Sequence, residues 1–217
     1  MKAVIFDMDG LMFDTERVFM KAWDYAGEKI GVGKAGYMVL KTLGVNASAV
    51  KEIWRKEFGE YDEKTLNRYI QSFLTEYYEK NGVPVKKGLY NLLDYLKESG
   101  YKMAVASSTA SCEVEKRLEM TGISDYFSAV VGGDMTAKSK PEPDIYLKAC
   151  ELIGAMPQQS YALEDSKNGL LSAYRAGLKP IMIPDLWQSD EEFDKILCAK
   201  FTNLDEAKEY FMALNLE

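Results

Sequence analysis

The apolar positions of the chain fall into short unbroken runs separated by segments with helical spacing. Short unbroken runs bounded by turn residues are typical of strands that are buried on both faces of a sheet. We predict five such strands, at residues 3–6, 103–106, 129–131, 161–163 and 180–183. Strands that alternate with helices favour right-handed βαβ crossovers, and therefore a parallel sheet covered on both faces.

The segments before and between the last four strands have apolar residues at helical spacing. Leucines 89, 92, 93 and 96 share one face of a helix predicted over residues 88–99, and Gly100 follows as a C-terminal cap. Helices are also predicted over residues 144–153 and 167–176. The acidic residues 190–192 predict the start of a further, C-terminal helix.

Between the first strand and Gly82 the alternation stops, and the pattern predicts helices only, among them residues 49–58 and 62–80. This stretch is too long for a connection and has no strand that could join the sheet. We therefore predict an α/β core with a Rossmann-like parallel sheet of five main strands, formed by residues 1–14 and 83–217. Residues 15–82 would form an inserted, all-helical cap domain, with hinges near residues 13–15 and 81–84.

Small, acidic or hydroxyl-bearing residues follow each predicted strand. Ligands of such parallel sheets bind in the crevice at the carboxyl ends of the strands. The residues predicted at that edge are Asp7, Asp9 and Gly10, then Ser107, Ser108 and Thr109, then Gly132, Gly133 and Asp134, then Glu164, Asp165 and Ser166, and finally Pro184 and Asp185. This coincidence predicts a functional site there.

The chemistry of this edge indicates a cation and a phosphate. Four carboxylates, those of Asp7, Asp9, Glu164 and Asp165, would repel one another in one crevice unless a bound cation compensated them. Oxygen ligands without His or Cys favour a hard ion, and Mg²⁺ is the usual one beside phosphate. Lys140 and Ser107 would supply a positive charge and a hydroxyl donor to the phosphate.

Composition narrows the function further. The chain has no histidine, which excludes Ser-His-Asp and Cys-His catalysis. Its net charge of −7 argues against nucleic acid as a partner, and its three cysteines form neither a disulfide framework nor a zinc pattern. No apolar stretch approaches the about 20 residues of a membrane helix, and acidic residues near the N-terminus do not fit a signal peptide. We expect a cytoplasmic protein with no membrane partner.

In these motifs the chain resembles the haloacid dehalogenase-like phosphatases, in the subgroup of small phosphatases and β-phosphoglucomutase-like enzymes with a helical cap. The matching motifs are D-x-D-G at residues 7–10, the serine Ser107 after the second strand, K-P-x-P-D at residues 140–144 and E-D-S-x-x-G at residues 164–169. The four motifs occur in the family's order, with a cap-sized gap between the first and the second. Together they extend over most of the chain.

The resemblance implies a role for each matched residue. Asp7 would be the nucleophile that takes the phosphoryl group, and Asp9 the general acid and base. Ser107 and Lys140 would hold the phosphoryl oxygens, with Ser108 as a further phosphate-binding residue. The ligands of Mg²⁺ would be the Asp7 carboxylate, the Asp9 backbone carbonyl and Asp165, together with Glu164 directly or through water.

Three functions are compatible with these observations. The first is a Mg²⁺-dependent phosphatase acting on a small phosphorylated metabolite, of the sugar phosphate or nucleoside monophosphate type. The second is a β-phosphoglucomutase. The similar mutases use a histidine and an arginine of the cap, whereas this chain has Phe19 at the expected histidine position and no arginine in its predicted substrate-facing loop, residues 41–48. The third is a non-catalytic relative, which we would expect to have lost one of the four motifs.

The phosphatase is therefore the prediction. The residues that select its substrate are expected in the cap, between about residues 16 and 78. Because the cap must move over the site, a monomer is expected.

Overall fold

The structure, a computed structural model, describes residues 2–43 and 47–215 of the chain. Within these ranges six strands form one parallel sheet, with the order β3-β2-β1-β4-β5-β6. The strands are β1 (Ala3–Phe6), β2 (Lys102–Ala106), β3 (Ala129–Val131), β4 (Ser160–Glu164), β5 (Lys179–Met182) and β6 (Ala199–Lys200). This α/β fold confirms the predicted class.

The five predicted strands are all present, each within one residue of its predicted bounds. The sixth strand, β6, was not predicted, because two residues at the edge of a sheet are too few to give an apolar run. It pairs with β5 and extends the sheet by one strand.

The helices alternate with the strands outside the inserted region. They are α1 (Thr15–Ile30), α2 (Met38–Thr42), α3 (Ala47–Phe58), α4 (Glu63–Asn81), α5 (Leu89–Glu98), α6 (Ser111–Met120), α7 (Asp144–Ile153), α8 (Lys167–Arg175) and α9 (Leu204–Leu214). The predicted helix start at residues 190–192 is wrong. A short 3-10 helix (Phe193–Ile196) follows there, and α9 begins after Asn203, whose side chain accepts hydrogen bonds from the backbone N–H groups of Asp205 and Glu206 at 3.0 and 3.2 Å.

Two hydrophobic clusters cover the two faces of the sheet. One contains the apolar faces of α5 and α9, and the other that of α7 together with residues of α8. A third cluster lies among α1 to α4 and is built around Trp23, Trp54, Leu66 and Ile70. The helical insertion thus has a core of its own, as a cap domain requires. The division into residues 1–14 with 83–217 and residues 15–82 stays a prediction.

The chain enters and leaves the helical insertion through two adjacent segments. The backbone N–H of Asp14 donates to the carbonyl of Pro84 at 2.8 Å, and that of Lys86 donates to the carbonyl of Met12 at 2.9 Å. Beside them, the Asp185 carboxylate pairs with Arg17 of α1 at 2.5 Å and with Lys86 at 2.8 Å. Charged and backbone contacts therefore join the first helix of the insertion to the sheet edge.

None of the described helices is both long and apolar enough to cross a membrane.

Candidate active site

The predicted site residues come together at the carboxyl edge of the sheet because β1 is a central strand. Phe6 at the end of β1 is in register with Val105 of β2 and Leu163 of β4. The residues that follow these three strands therefore lie side by side. They border a cavity of about 310 Å³ between the sheet edge and the helical insertion, lined on the sheet side by Asp7, Asp9, Ser108, Thr109, Lys140, Asp165 and Ser166.

Asp7 lies at the floor of this cavity against a buried lysine. Its side chain is 9% exposed, and the Lys140 ammonium donates to Asp7 Oδ1 at 2.6 Å. Burial raises the pKa of Asp7, although Lys140 acts in the opposite direction. Burial by itself would lower the pKa of Lys140, but the carboxylates of Asp7 and Glu164 outweigh it and raise that pKa above its ordinary value. Lys140 is thus a fixed positive charge beside Asp7.

Glu164 is an anchor whose two carboxylate oxygens are fully engaged. Oε1 accepts from Lys140 at 2.6 Å and from the Tyr146 hydroxyl at 3.1 Å. Oε2 accepts from the backbone N–H groups of Asp165 and Ser166 and from the Ser166 hydroxyl, at 2.9–3.0 Å. A Cβ at Gly169 would lie 1.6 Å from Oε1, which explains the glycine of the E-D-S-x-x-G motif. With these contacts filled, Glu164 orients Lys140 and the loop at the end of β4.

Asp165 has the free oxygen that a cation site needs. Its Oδ1 atom is buried and has no hydrogen-bond partner, and burial raises the pKa of Asp165 well above its usual range. Carboxylate oxygens of Asp7, Glu164 and Asp165 lie within 4.8 Å of one another. A Cβ at Gly10 would lie 2.2 Å from Asp165 Oδ2, so the glycine of D-x-D-G lets this carboxylate approach. A buried set of oxygens with an unpartnered member fits Mg²⁺.

Asp9 points away from that cluster and is held by donors from three segments. Its Oδ1 accepts from the Thr15 hydroxyl and from Arg117, both at 2.6 Å. Its Oδ2 accepts from the hydroxyl of Thr109 at 2.7 Å and from that of Ser107 at 3.4 Å. Arg117 was not assigned to the site from the sequence, and Thr109 was placed at the sheet edge without a role in the site. The signal for Thr109 was its place as the third hydroxyl residue after β2. The signal for Arg117 was a charged residue on the apolar face of α6.

The charges of the site leave room for a divalent cation. Lys140 and Arg117 are the two buried basic residues in the part of the chain that the structure describes, and each pairs with one aspartate of the first motif. The site as a whole has four carboxylates, those of Asp7, Asp9, Glu164 and Asp165. Two of these negative charges are therefore not matched by a buried basic side chain, which is the charge that Mg²⁺ would neutralise.

The hydroxyl residues after β2 differ in accessibility. Ser107 is buried, and its Oγ accepts from the backbone N–H of Thr109 at 3.1 Å. Ser108 is exposed and lines the cavity, so its hydroxyl is open to a bound molecule. Ser111 is the first residue of α6, and Asp134 accepts hydrogen bonds from its backbone N–H at 2.7 Å and from its hydroxyl at 2.8 Å. The Asp134 carboxylate thus satisfies a free N–H at the start of this helix. Phosphate binding by Ser107, Ser108 and Lys140 stays a prediction.

The side of the cavity opposite the sheet is formed by residues of the helical insertion and is largely apolar. Burial raises the pKa of Glu16 to about 8, and the nearby charges of Asp9 and Asp185 act in the same direction. Glu16 is the one acid among the described residues of this side. These residues are Glu16, Phe19, Trp23, Val39, Thr42, Leu43 and Val50. Residues 44–46 of the predicted substrate-facing loop lie outside the described residues.

Two curated relatives match most of the chain. A CbbY protein of Rhodobacter capsulatus is 30% identical over 203 residues, which are 89% of each chain. A phosphorylated carbohydrates phosphatase of Thermotoga maritima is 30% identical over 186 residues, covering 83% of this chain and 84% of that one.

Solved structures have the same fold. CbbY from Rhodobacter sphaeroides in complex with phosphate superposes with a TM-score of 0.79 at 26% identity, covering 94% of this chain and 95% of that one. A β-phosphoglucomutase from Clostridium difficile has a TM-score of 0.78 at 21% identity, covering 97% and 95%, and shows the fold alone. The family model of the haloacid dehalogenase-like hydrolases matches residues 4–183. From this match and the motif geometry, the chain belongs to the haloacid dehalogenase-like hydrolase family.

Proposed function

We propose that this protein is a Mg²⁺-dependent phosphatase that hydrolyses a small phosphorylated metabolite through an aspartyl-phosphate intermediate. The observation that carries the proposal is the pairing at the cavity floor. Asp7 Oδ1 lies 2.6 Å from the ammonium of Lys140, and a carboxylate oxygen of Asp7 lies within 4.8 Å of one of Asp165, whose Oδ1 has no hydrogen-bond partner. The cavity between the sheet edge and the helical insertion has room for a small ester. The relatives include a phosphorylated carbohydrates phosphatase and a hexitol phosphatase.

In the first step, an Asp7 carboxylate oxygen attacks the phosphorus atom and forms a new P–O bond. The bond between phosphorus and the leaving oxygen breaks, and Asp9 donates a proton to that oxygen. Lys140 lowers the repulsion between the anionic nucleophile and the anionic ester. Its three engaged contacts, to Asp7, Glu164 and the carbonyl of Ala106 at 3.1 Å, keep the ammonium in place.

In the second step, a water molecule attacks the phosphorus of the aspartyl phosphate and gives its proton to Asp9. The P–O bond to Asp7 breaks, so inorganic phosphate leaves and both aspartates return to their starting states. The closed cap excludes bulk water from the first step. Hydroxyls of Ser107 and Ser108 would hold the phosphoryl oxygens in both steps.

Mg²⁺ would be held by Asp7, by the backbone carbonyl of Asp9 and by Asp165. Glu164 would reach the ion through water, because its own oxygens already accept the hydrogen bonds described above. When bound, the ion would supply positive charge that offsets the negative charge of the phosphoryl oxygens. It would also relieve the burial of two ionised aspartates.

The apolar cap side of the cavity bears on the substrate class. A polyol leaving group needs a partner for each buried hydroxyl, and an unmatched one costs about 1–3 kcal/mol. The described residues of this side offer only Glu16, Thr42 and the indole N–H of Trp23 as polar side-chain groups. Within the expected sugar phosphate and nucleoside monophosphate types, this favours leaving groups with an apolar face. The cytoplasmic location and the monomeric state stay predictions.

The experiment is phosphate release from a panel of sugar phosphates and nucleoside monophosphates, with and without Mg²⁺. Asp7→Asn removes the nucleophile with little change of shape and is the blank. We expect Mg²⁺-dependent release by the wild type and a loss of at least about 10³-fold in the variant. Retained steady-state turnover in Asp7→Asn would contradict the assignment of the nucleophile.

The same samples test the mutase as the second candidate. Conversion of β-glucose 1-phosphate to glucose 6-phosphate without phosphate release would replace the phosphatase by a mutase. The absence of histidine from the chain and Phe19 at the expected position argue against that outcome.

A further inference from the structure

Arg117 is an unusual residue for its position in the chain. It lies on the face of α6 that also bears Val114 and Leu118, which are 0% and 1% exposed. Arg117 itself is only 5% exposed, and arginine is almost never this buried without a partner. It forms an ion pair with the carboxylate of Asp9, with Arg117 Nη1 at 2.6 Å from Asp9 Oδ1. Arg117 is therefore a buried charge on an apolar helix face, and its ion-pair partner belongs to the first motif.

The contacts of Arg117 leave the two oxygens of Asp9 unequal. Oδ1 is held by two short hydrogen bonds, from Arg117 and Thr15, both at 2.6 Å. Oδ2 has one short bond, from Thr109 at 2.7 Å, and one long contact from Ser107 at 3.4 Å. A carboxylate has about four lone-pair sites. Three of those of Asp9 accept short hydrogen bonds, and the fourth, on Oδ2, has only the 3.4 Å contact from Ser107 and is the most open to a proton. The bond from Arg117 to Oδ1 thus leaves Oδ2 as the oxygen with the weaker second contact.

The cap encloses the guanidinium of Arg117 from the other side. Its Cζ atom lies 5.9 Å from the ring centre of Phe19 in α1 and 5.8 Å from that of Tyr78 in α4, within the range of cation–π contacts. The Nε atom of Arg117 and the hydroxyl of Tyr78 are buried without hydrogen-bond partners. If the cap moved away, water would reach the guanidinium and compete with its ion pair to Asp9.

We propose that Arg117 is a positioning residue that holds Asp9 in the orientation for proton transfer through Oδ2, and that it does so under the closed cap. This inference rests on the proposed phosphatase function, in which Asp9 protonates the leaving oxygen. Arg117 acts through Asp9 and does not line the cavity at Asp7. A residue that positions a general acid affects most strongly the substrates whose leaving oxygen needs a proton.

The experiment compares two leaving groups in the wild type and in Arg117→Met. p-Nitrophenyl phosphate has a leaving oxygen that departs as an anion, whereas an alkyl phosphate needs protonation. We expect kcat for the alkyl phosphate to fall about 10-fold or more, with a much smaller fall for p-nitrophenyl phosphate and little change of KM. Arg117→Lys, which keeps the charge with fewer donors, should recover part of the lost rate.

Arg68→Met is the matched control, because Arg68 is an exposed arginine of α4 whose guanidinium lies 5.3 Å from the ring centre of Tyr69. It should leave both rates unchanged. Equal losses on both substrates in Arg117→Met would mean a merely structural role and overturn the proposal, as would no loss at all. If Arg117→Met does not fold, the same comparison with Arg117→Lys decides. Absence of turnover of either substrate by the wild type would instead refute the phosphatase function.

Discussion

At the scale of single residues, two aspartates two positions apart have opposite surroundings. Asp7 faces Lys140 and the acidic cluster, whereas Asp9 faces Arg117 and three hydroxyls. The difference matches the division of labour proposed here. A nucleophile has to stay near a cation and a phosphoryl group, and a proton carrier needs one oxygen with a weak contact.

Glu16 gives a prediction with a pH dependence. Its pKa is raised in the folded state to about 8, so folding retains a proton that the unfolded chain loses near its ordinary pKa. The wild type therefore loses stability from this residue as the pH rises from about 4.5 to about 8. Glu16→Gln should be more stable than the wild type at pH 8, by roughly 1–3 kcal/mol after allowance for partial exposure, and similar to it near pH 4.5.

Urea unfolding of Glu16→Gln and the wild type at both pH values measures this. An equal difference at the two pH values would show that Glu16 does not titrate in this range in the folded protein.

Glu164 gives a second prediction at this scale. Glu164→Gln places an amide N–H₂ where the carboxylate accepts from Lys140, Tyr146 and the loop after β4. At least one buried donor then loses its acceptor, and we expect the free energy of unfolding to fall by about 3–5 kcal/mol. Denaturant unfolding checks this against Glu98→Gln, an exposed glutamate on α5 that should change stability little. A small effect at Glu164 would mean that the loop does not depend on its charge.

At the scale of elements, the strand order decides which residues meet. β1 lies between β2 and β4, so the motifs after these strands converge although they are separated by about a hundred and about sixty residues along the chain. The helical insertion begins immediately after β1 and its first motif, so the cap starts at the site it covers. Asp185, after β5, joins this region to α1 through its ion pair with Arg17.

The ion pairs of Asp185 with Arg17 and Lys86 predict that this carboxylate contributes to the free energy of unfolding. Asp185 has a 3% exposed side chain, while Arg17 and Lys86 are 47% and 22% exposed. Asp185→Asn removes the charge that both cations share, but the cations stay partly hydrated. We expect a fall of about 1–2 kcal/mol in the free energy of unfolding, measured by urea denaturation.

Glu151→Gln is the matched control for Asp185→Asn, because it breaks the exposed pair of Glu151 with Lys148 and should change stability by less than about 0.5 kcal/mol. Equal effects of the two substitutions would mean that the pairs of Asp185 with Arg17 and Lys86 contribute no more than an ordinary surface ion pair.

At the scale of the whole molecule, the proposed metal site would couple metal binding to folding. The acids that would hold the cation come from β1 and β4, which are adjacent only in the folded sheet. Mg²⁺ should therefore bind the folded protein in preference to the unfolded chain and stabilise it. The repulsion among the buried carboxylates adds to this effect, because the ion relieves it.

The prediction is a Mg²⁺-dependent shift of the unfolding transition. At about 100 times its Kd, Mg²⁺ should add about 2.7 kcal/mol to the free energy of unfolding of the wild type. Asp165→Asn should lose most of this gain. Because burial raises the pKa of Asp165, its charge opposes folding at neutral pH, and the variant without metal should be at least as stable as the wild type. Thermal or urea unfolding with and without Mg²⁺ measures both, and an undiminished shift in Asp165→Asn would place the ion elsewhere.

The sequence by itself determined the strands, most helices and the edge of the sheet at which the motifs lie. Residues 3–6 and 129–131 could be predicted because an apolar run bounded by Asp or Gly is a local pattern. The acids Asp7, Asp9 and Asp165 could be assigned because each follows such a run. What remained out of reach locally was β6, whose two residues belong to the sheet only through pairing with β5.

Only the tertiary structure decided the partners of these acids. Arg117 lies over a hundred positions from Asp9 in the chain, and nothing in the spacing of α6 says which carboxylate its charge meets. The saturation of Glu164 and the free oxygen of Asp165 likewise follow from contacts between distant segments. A local pattern of apolar and polar residues indicates which positions of one strand or helix are buried. Which hydrogen-bond and charge partners they meet depends on how the strands and the helical insertion pack together in three dimensions.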